Sequence, residues 1–249
     1  MTIGLDLDYA AGTVPARGYY ARPANGRIKG GVILVHEAPG VGAHVRRRAD
    51  ALAAHGYAAL AADLHGHGHL AAHPHEARQW VEALKADPDE LIDRMTGALD
   101  ALVKESGGAD GNLAAAGYCF GGWCALELAR TGAPLRSVST FHGSLASERG
   151  AGRIRGSVLA CAGDTDPFVP IEQIVGFSAE MREAQVDYQV CLYGGVSHGF
   201  TDVNTPTMPG FRYDATADRR AWQTFLSLLA EHTADPEQGG AKGNMYDAI

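Results

Sequence analysis

The segment Gly117-Tyr118-Cys119-Phe120-Gly121-Gly122 places a thiol in a glycine-rich turn between a strand-like and a helix-like stretch. This is the pattern of the nucleophile elbow G-x-nucleophile-x-G, here with cysteine in place of the usual serine. Glycine is required at 117 and 121 because side chains there would clash where strand and helix approach closely. The helix N-terminus favours a thiolate at Cys119, and the N–H of Phe120 could donate to a developing oxyanion. The alternative is a buried cysteine in an ordinary turn.

A candidate acid and a candidate base follow the elbow. Asp166 lies in the loop GDTDPFVP (163–170), and His198 lies in GGVSHGF (194–200), each just after a predicted strand. Nucleophile, acid and histidine in this chain order are typical of α/β-hydrolases. In that arrangement His198 would accept the thiol proton and return it to the leaving alcohol, while Asp166 would orient the imidazole.

The elements that must position these residues alternate along the chain. A hairpin is predicted at 5–22. Apolar runs predict buried strands at 30–36, 57–63, 113–118, 136–141, 156–162 and 187–193. Helical spacing predicts helices at 43–55, 75–86, 88–106, 121–131, 171–184 and 215–231. Strands separated by helices predict an α/β fold, with a mostly parallel central sheet flanked by helices on both faces. We expect one domain at 1–232 and a flexible tail at 233–249.

Composition excludes several function classes. The net charge is −8 and no basic run occurs, so we expect no nucleic-acid partner. No apolar stretch is long enough for a membrane span, and no signal peptide is readable, so we expect a cytoplasmic protein. The four cysteines fit neither a CxxC pair nor a zinc site, so three are expected to be buried apolar residues and one to be reactive.

Taken together, these motifs resemble the dienelactone hydrolase family. Besides GYCFGG, DPFVP and GxSHGF, the resemblance includes VHEAPGV (35–41), AADLHGHG (61–68) and FHG (141–143), and it covers roughly residues 30–230. It implies the α/β-hydrolase fold and a carboxymethylenebutenolidase-like activity on esters or lactones, without a cofactor or metal. The cysteine elbow combined with the His-Glu strand end is the specific part of the match.

The resemblance also assigns roles to residues. Cys119, Asp166 and His198 would form the triad, with Asp166 preferred over Asp164 because it precedes the x-x-V-P segment. Glu37 would interact with the resting thiol and help to activate it when substrate arrives. The N–H groups of Ala38 and Phe120 would form the oxyanion hole. Candidates for the substrate pocket are His65, Trp123, His142, Phe168 and Phe200.

One position departs from the family. Members specific for dienelactone hold the substrate carboxylate with arginines, one of them four residues after the histidine, where this chain has Asp202. A carboxylate there would repel an anionic substrate. Arg78, Arg94 and Arg212 are the remaining candidates to reach the pocket.

Five histidines lie between positions 65 and 75, and such a cluster raises the possibility of zinc. The segment lacks the aspartate of an HxHxD arrangement and a nearby cysteine. We therefore interpret it as a loop at the pocket rim and expect no metal.

The leading hypothesis is a hydrolase of small esters or enol lactones that acts through an acyl-enzyme on Cys119. The alternatives are a thiol-dependent acyltransferase, a peroxide-reducing enzyme, or a non-catalytic protein that binds a ligand in the same pocket. Cys124 is not on the helix face of Cys119, which argues against an internal resolving thiol for a peroxidase. Monomer and homodimer both remain open.

Overall fold

The computed structural model describes residues 1–107, 111–206 and 208–233. Its strands form a single eight-stranded sheet in the order β1-β2-β4-β3-β5-β6-β7-β8. The strands are β1 (Thr2–Ala11), β2 (Val14–Pro23), β3 (Gly31–Val35), β4 (Ala58–Ala62), β5 (Leu113–Tyr118), β6 (Ser137–Phe141), β7 (Ser157–Gly163) and β8 (Tyr188–Tyr193). The β1–β2 hairpin is antiparallel and joins β4 in antiparallel fashion, whereas all other neighbouring strands are parallel.

Helices cover both faces of this sheet. They are α1 (Ala43–Ala54), α2 (Pro74–Ala86), α3 (Pro88–Ser106), α4 (Phe120–Arg130), α5 (Ile171–Glu183) and α6 (Ala215–Thr233). Apolar residues of α1 and α6 pack on one face, and those of α2, α3, α4 and α5 pack on the other. The central strands β3, β4 and β5 are buried along their whole length, because parallel strands covered on both faces have no solvent-facing side.

The predicted elements and the fold class are confirmed. Every predicted strand and helix is present with ends shifted by a few residues, and the hairpin is longer than predicted. Of the predicted tail at 233–249, Thr233 is the last residue of α6 and the rest lies outside the described residues. Across the described ranges, no helix is long and apolar enough to cross a membrane.

The sheet brings the predicted site residues to one edge. β3, β5, β7 and β8 are parallel, and each ends a few residues before Glu37, Cys119, Asp166 or His198. Val35 is the register partner of Gly117, so Glu37 and Cys119 leave the sheet at the same level. Because the carboxyl ends of parallel strands meet at one edge, residues distant in sequence converge there.

Candidate active site

The turn at Cys119 has the backbone geometry of a nucleophile elbow. Cys119 itself has φ 54° and ψ −118°, a conformation that costs free energy for a residue with a side chain. A Cβ on Gly117 would lie 2.0 Å from the Gly121 carbonyl oxygen, and a Cβ on Gly121 would lie 2.3 Å from that of Val35. Both glycines are therefore required for α4 to pack directly against β5 and β3.

A buried histidine holds the backbone of this turn. The N–H of Cys119 lies 3.0 Å from the Phe141 carbonyl oxygen and 3.2 Å from Nδ1 of His142. Since Nδ1 accepts this hydrogen bond, Nε2 carries the proton and donates to Oγ1 of Thr201 at 2.8 Å. His142 is 1% exposed and has a φ of 44°. The imidazole thus connects the elbow to the segment that follows His198.

Asp166 and His198 form a buried pair. Oδ2 of Asp166 lies 2.8 Å from Nδ1 of His198, and Oδ1 accepts the N–H of Phe168 at 2.8 Å. The two loops meet closely because Gly163 has no side chain: a Cβ there would lie 2.0 Å from the Val196 carbonyl oxygen. Asp164, the other acid of the loop, instead accepts the N–H of Gly195.

His198 also contacts the thiol. Burial alone would lower the pKa of His198, but hydrogen bonds to Asp166 and to the Cys119 side chain outweigh burial and raise this pKa to about 9. The imidazole therefore lies between a carboxylate and a thiol, with Nδ1 facing Asp166. This leaves Nε2 for the sulfur, which is the arrangement needed for proton transfer to and from Cys119.

Glu37 takes part in a second chain of polar groups. Its Oε1 pairs with Nδ1 of His44, whose Nε2 accepts from Nε of Arg48 at 3.1 Å. Arg48 in turn pairs with Asp218 and donates to the Thr201 carbonyl oxygen at 2.8 Å. Burial would raise the pKa of Glu37, but the contact with His44 lowers it below its ordinary value. In this structure the carboxylate is held by His44, whereas the resemblance implies an interaction with the thiol.

The expected oxyanion-hole residues lie at two strand ends. Phe120 is the first residue of α4, where the N–H has no partner within the helix. The carbonyl oxygen of Ala38 accepts Nε2–H of His65 at 2.8 Å, which holds the backbone just after the Ala38 N–H. Burial, followed by the neighbouring His36, lowers the pKa of His65 to about 4, so this imidazole is a neutral donor.

The other pocket candidates differ in accessibility. Phe168 is 50% exposed, and its ring lies 4.9 Å from that of His198 and 5.3 Å from that of Phe211, forming an apolar wall beside the imidazole. Trp123 is partly exposed, stacks on Phe120 and donates to the Ala146 carbonyl oxygen. Phe200 and His142, expected in the pocket, are 0% and 1% exposed and present no surface to a substrate.

Each of the three candidate arginines is bound to another group of the protein. Arg78 pairs with Glu82, Arg94 pairs with Glu90 and donates to the Leu64 carbonyl oxygen, and Arg212 donates to the Gly195 carbonyl oxygen. Asp202 pairs with Arg47 at 3.0 Å. Its carboxylate lies within 4.8 Å of the ligand-type atoms of Glu37 and His44. Two acidic side chains therefore lie together beside the expected site.

The histidine-rich loop has partners of its own. The ring of His69 stacks on Trp80 and contacts His67, whereas His73 and His75 are exposed. Within the described ranges, the group of side chains that could approach one metal ion together is Glu37, His44 and Asp202, not the loop. Those three already pair with one another or with Arg47 and Arg48.

Sequence reasoning missed His44 and Arg48. Their i, i+4 spacing on α1 is the one signal that could have placed them on a common helix face. Nothing in the spacing indicated that this face would reach Glu37.

The parallel sheet, the cysteine elbow and the Asp166–His198 pair at its carboxyl edge define an α/β-hydrolase. The model of the dienelactone hydrolase family matches residues 16–233. The chain belongs to this family and is a dienelactone hydrolase-like hydrolase.

Individual relatives extend this similarity along most of the chain. The "Probable 2-oxo-3-(5-oxofuran-2-ylidene)propanoate lactonase" of Bradyrhizobium sp. is 26% identical over 93% of this chain and 96% of its own length. Two solved structures each cover 93% of this chain and 98% of their own. A dienelactone hydrolase-like promiscuous phosphotriesterase from metagenomic libraries is 36% identical with a TM-score of 0.88. The protein named m3DLH is 39% identical with a TM-score of 0.89.

Proposed function

We propose that this hydrolase cleaves small, uncharged esters or lactones through a thioester formed on Cys119. The observation that carries the proposal is the continuous contact from Asp166 through His198 to a thiol in a strained elbow. A buried carboxylate, an imidazole and a nucleophile in this order are what acyl transfer requires. Family membership supports the hydrolytic reaction.

The reaction has two halves. The Cys119 thiolate attacks the carbonyl carbon, and the N–H groups of Phe120 and Ala38 donate to the oxyanion. The C–O bond to the alcohol breaks as His198 gives its proton to the leaving oxygen, which leaves a thioester. His198 then removes a proton from water, which attacks the thioester, and departure of the thiolate releases the acid. Thiolate chemistry favours good leaving groups, so aryl and enol esters should react faster than amides.

The preference for uncharged substrates comes from the charges around the site. Glu37 and Asp202 lie together, and Arg78, Arg94 and Arg212 are bound to other groups of the protein. A substrate carboxylate beside these acids would be repelled, and none of these three arginines is free to bind it. The exposed ring of Phe168 instead offers apolar contact.

Paired substrates test this proposal. We expect 4-nitrophenyl acetate and an uncharged enol lactone to be hydrolysed, and Cys119→Ala to lose this activity. Mass spectrometry of a rapidly quenched reaction should find the acyl group on the peptide that carries Cys119. A mono-aryl succinate, which adds a carboxylate, should have a kcat/KM at least about tenfold lower, and Asp202→Asn should narrow this gap. Unchanged turnover in Cys119→Ala, or binding without turnover across the panel, would contradict the proposal.

Phosphotriester hydrolysis is a second candidate. The similar protein at 36% identity is named as a promiscuous phosphotriesterase, and a neutral triester meets the same charge requirement. Release of 4-nitrophenol from a dialkyl 4-nitrophenyl phosphate, lost in Cys119→Ala, would support this activity at the same site.

A further inference from the structure

Two thiols outside the proposed active site face each other across neighbouring strands. Cys161 on β7 and Cys191 on β8 are register partners in the parallel sheet. Side chains of register partners point to the same face, and adjacent strands lie about 4.7–4.9 Å apart. This separation falls within the roughly 4.4–6.8 Å between Cα atoms that a disulfide spans. Both cysteines are free in the structure.

Polar groups surround this pair. Cys161 donates a hydrogen bond to Cys191, which also accepts from Nε2 of Gln189 at 3.4 Å. The Tyr193 hydroxyl lies 3.8 Å from Sγ of Cys161. Donors to a sulfur stabilise its thiolate. Accordingly, the hydrogen bond from Cys161 lowers the pKa of Cys191 to about 6 and raises the pKa of Cys161.

The two thiols differ in access. Cys161 is buried, whereas Cys191 is half-buried on β8, the last strand of the sheet order. The sequence predicted that every cysteine except the nucleophile would be a buried apolar residue, and Cys191 does not fit that prediction. A half-buried, activated thiol beside a buried one is the arrangement of an attacking and a resolving cysteine.

We propose that Cys161 and Cys191 form a second thiol site, a dithiol that hydroperoxides oxidise to a disulfide joining β7 to β8. The Cys191 thiolate attacks one peroxide oxygen and the O–O bond breaks, giving a sulfenic acid on Cys191 and an alcohol, or water from hydrogen peroxide. The Cys161 sulfur then attacks the sulfenic sulfur, and its proton leaves with the hydroxide as water. In sum, two thiols and one hydroperoxide give one disulfide, one alcohol and one water.

The proposed dithiol does not include Cys119. The two strands that it would join nevertheless lead directly to Asp166 and His198. A disulfide between these strands would therefore constrain the two segments that carry Asp166 and His198.

Thiol counting in Cys119→Ser tests the proposal, since this variant keeps Cys124, Cys161 and Cys191. After one equivalent of hydrogen peroxide and unfolding in guanidinium, we expect two of the three thiols to be lost and dithiothreitol to restore them. Trypsin cleaves after Arg182 and separates the two cysteines, so the linked peptides should appear together, lighter by two hydrogen atoms. Three remaining thiols, a link to Cys124, or a link between chains would overturn the proposal.

A second variant tests the order of events without depending on disulfide formation. In Cys119→Ser with Cys161→Ser, which keeps a hydrogen-bond donor beside Cys191, dimedone should trap a sulfenic acid on Cys191 about tenfold faster than on the buried Cys124. Labelling that is equal at Cys124 and Cys191 would contradict the assignment of Cys191 as the attacking thiol.

Discussion

The backbone N–H of Cys119 donates to Nδ1 of His142, and this contact ties the strained elbow to a fully buried imidazole. The same ring donates to Thr201, which lies three residues after His198, and its edge faces the His198 ring at 4.9 Å. One side chain thus holds the backbone of the expected nucleophile and packs against the expected base. Because this ring is buried and contacts the backbone N–H of Cys119, we regard His142 as a positioning residue.

Two substitutions at His142 should distinguish the effects of its two hydrogen bonds on activity. In His142→Asn, Oδ1 can replace Nδ1 as the acceptor for the Cys119 N–H; in His142→Gln, Nε2 can replace the donor to Thr201. We expect His142→Gln to lower kcat about tenfold more than His142→Asn, with little change in KM, because a small displacement of the nucleophile slows the chemical step. Steady-state kinetics check this, at a temperature at which thermal unfolding curves show both variants to be fully folded. Equal losses would mean that the ring acts through packing alone.

Asp166 and Asp164 offer a matched pair of acids in one loop. Asp166→Asn should reduce kcat about a thousandfold, because an amide at that position no longer favours Nδ1–H on His198. Asp164→Asn should change kcat less than about threefold, since its side chain only accepts the Gly195 N–H and an amide oxygen can do the same. Comparable losses in both variants would contradict the choice of Asp166.

The raised pKa of His198 predicts how activity and stability depend on pH. Its folded pKa of about 9 exceeds the ordinary 6.5, so protonated His198 stabilises the fold fully below pH 6.5, and this contribution is lost as the pH rises through 9. We expect kcat/KM to fall above pH 9 as the proton for the leaving group is lost. The free energy of unfolding should drop by about 3 kcal/mol between pH 6.5 and pH 9, and less in His198→Gln. Denaturant titrations at pH 6 and pH 10 measure this drop.

The contact between Glu37 and His44 predicts the behaviour of the resting thiol. Because His44 holds the carboxylate, iodoacetamide should alkylate Cys119 in the substrate-free enzyme. Glu37→Gln should then change the alkylation rate less than about threefold. A rise of about tenfold or more in that variant would instead mean that Glu37 restrains the thiol, as the family resemblance implies.

Two glycine substitutions test the packing of the elbow. Gly117→Ala should lower the free energy of unfolding by about 3 kcal/mol, because its Cβ would meet the Gly121 carbonyl at 2.0 Å. The control is Gly176→Ala on α5, where a Cβ meets nothing within 4 Å; it should raise stability by about 1 kcal/mol. Urea unfolding of both variants provides the comparison, and a tolerated Gly117→Ala would show that α4 can shift away from β5.

The sequence predicted the elements well because the central strands are continuous apolar runs and the helices carry clear periodicity. It also indicated which residues stand at the strand ends. It could not show which side chains contact those residues. α1 has an ordinary amphipathic pattern, and only the packed structure brings His44 to Glu37. His142 was expected beside the substrate because spacing cannot tell whether a residue near the nucleophile is exposed or buried. The Cys161–Cys191 pair depends on the register of two strands separated by α5, which no short-range pattern encodes.

β8 lies at one end of the sheet order, and this position affects how the enzyme loses activity on heating. Cys119 follows β5, a central strand, whereas His198 follows β8, which in the described sheet pairs with β7 alone. Terminal strands open locally at a lower free-energy cost than central ones. On mild heating we therefore expect the base to separate from the nucleophile while the rest of the sheet stays intact, so that inactivation precedes the loss of secondary structure.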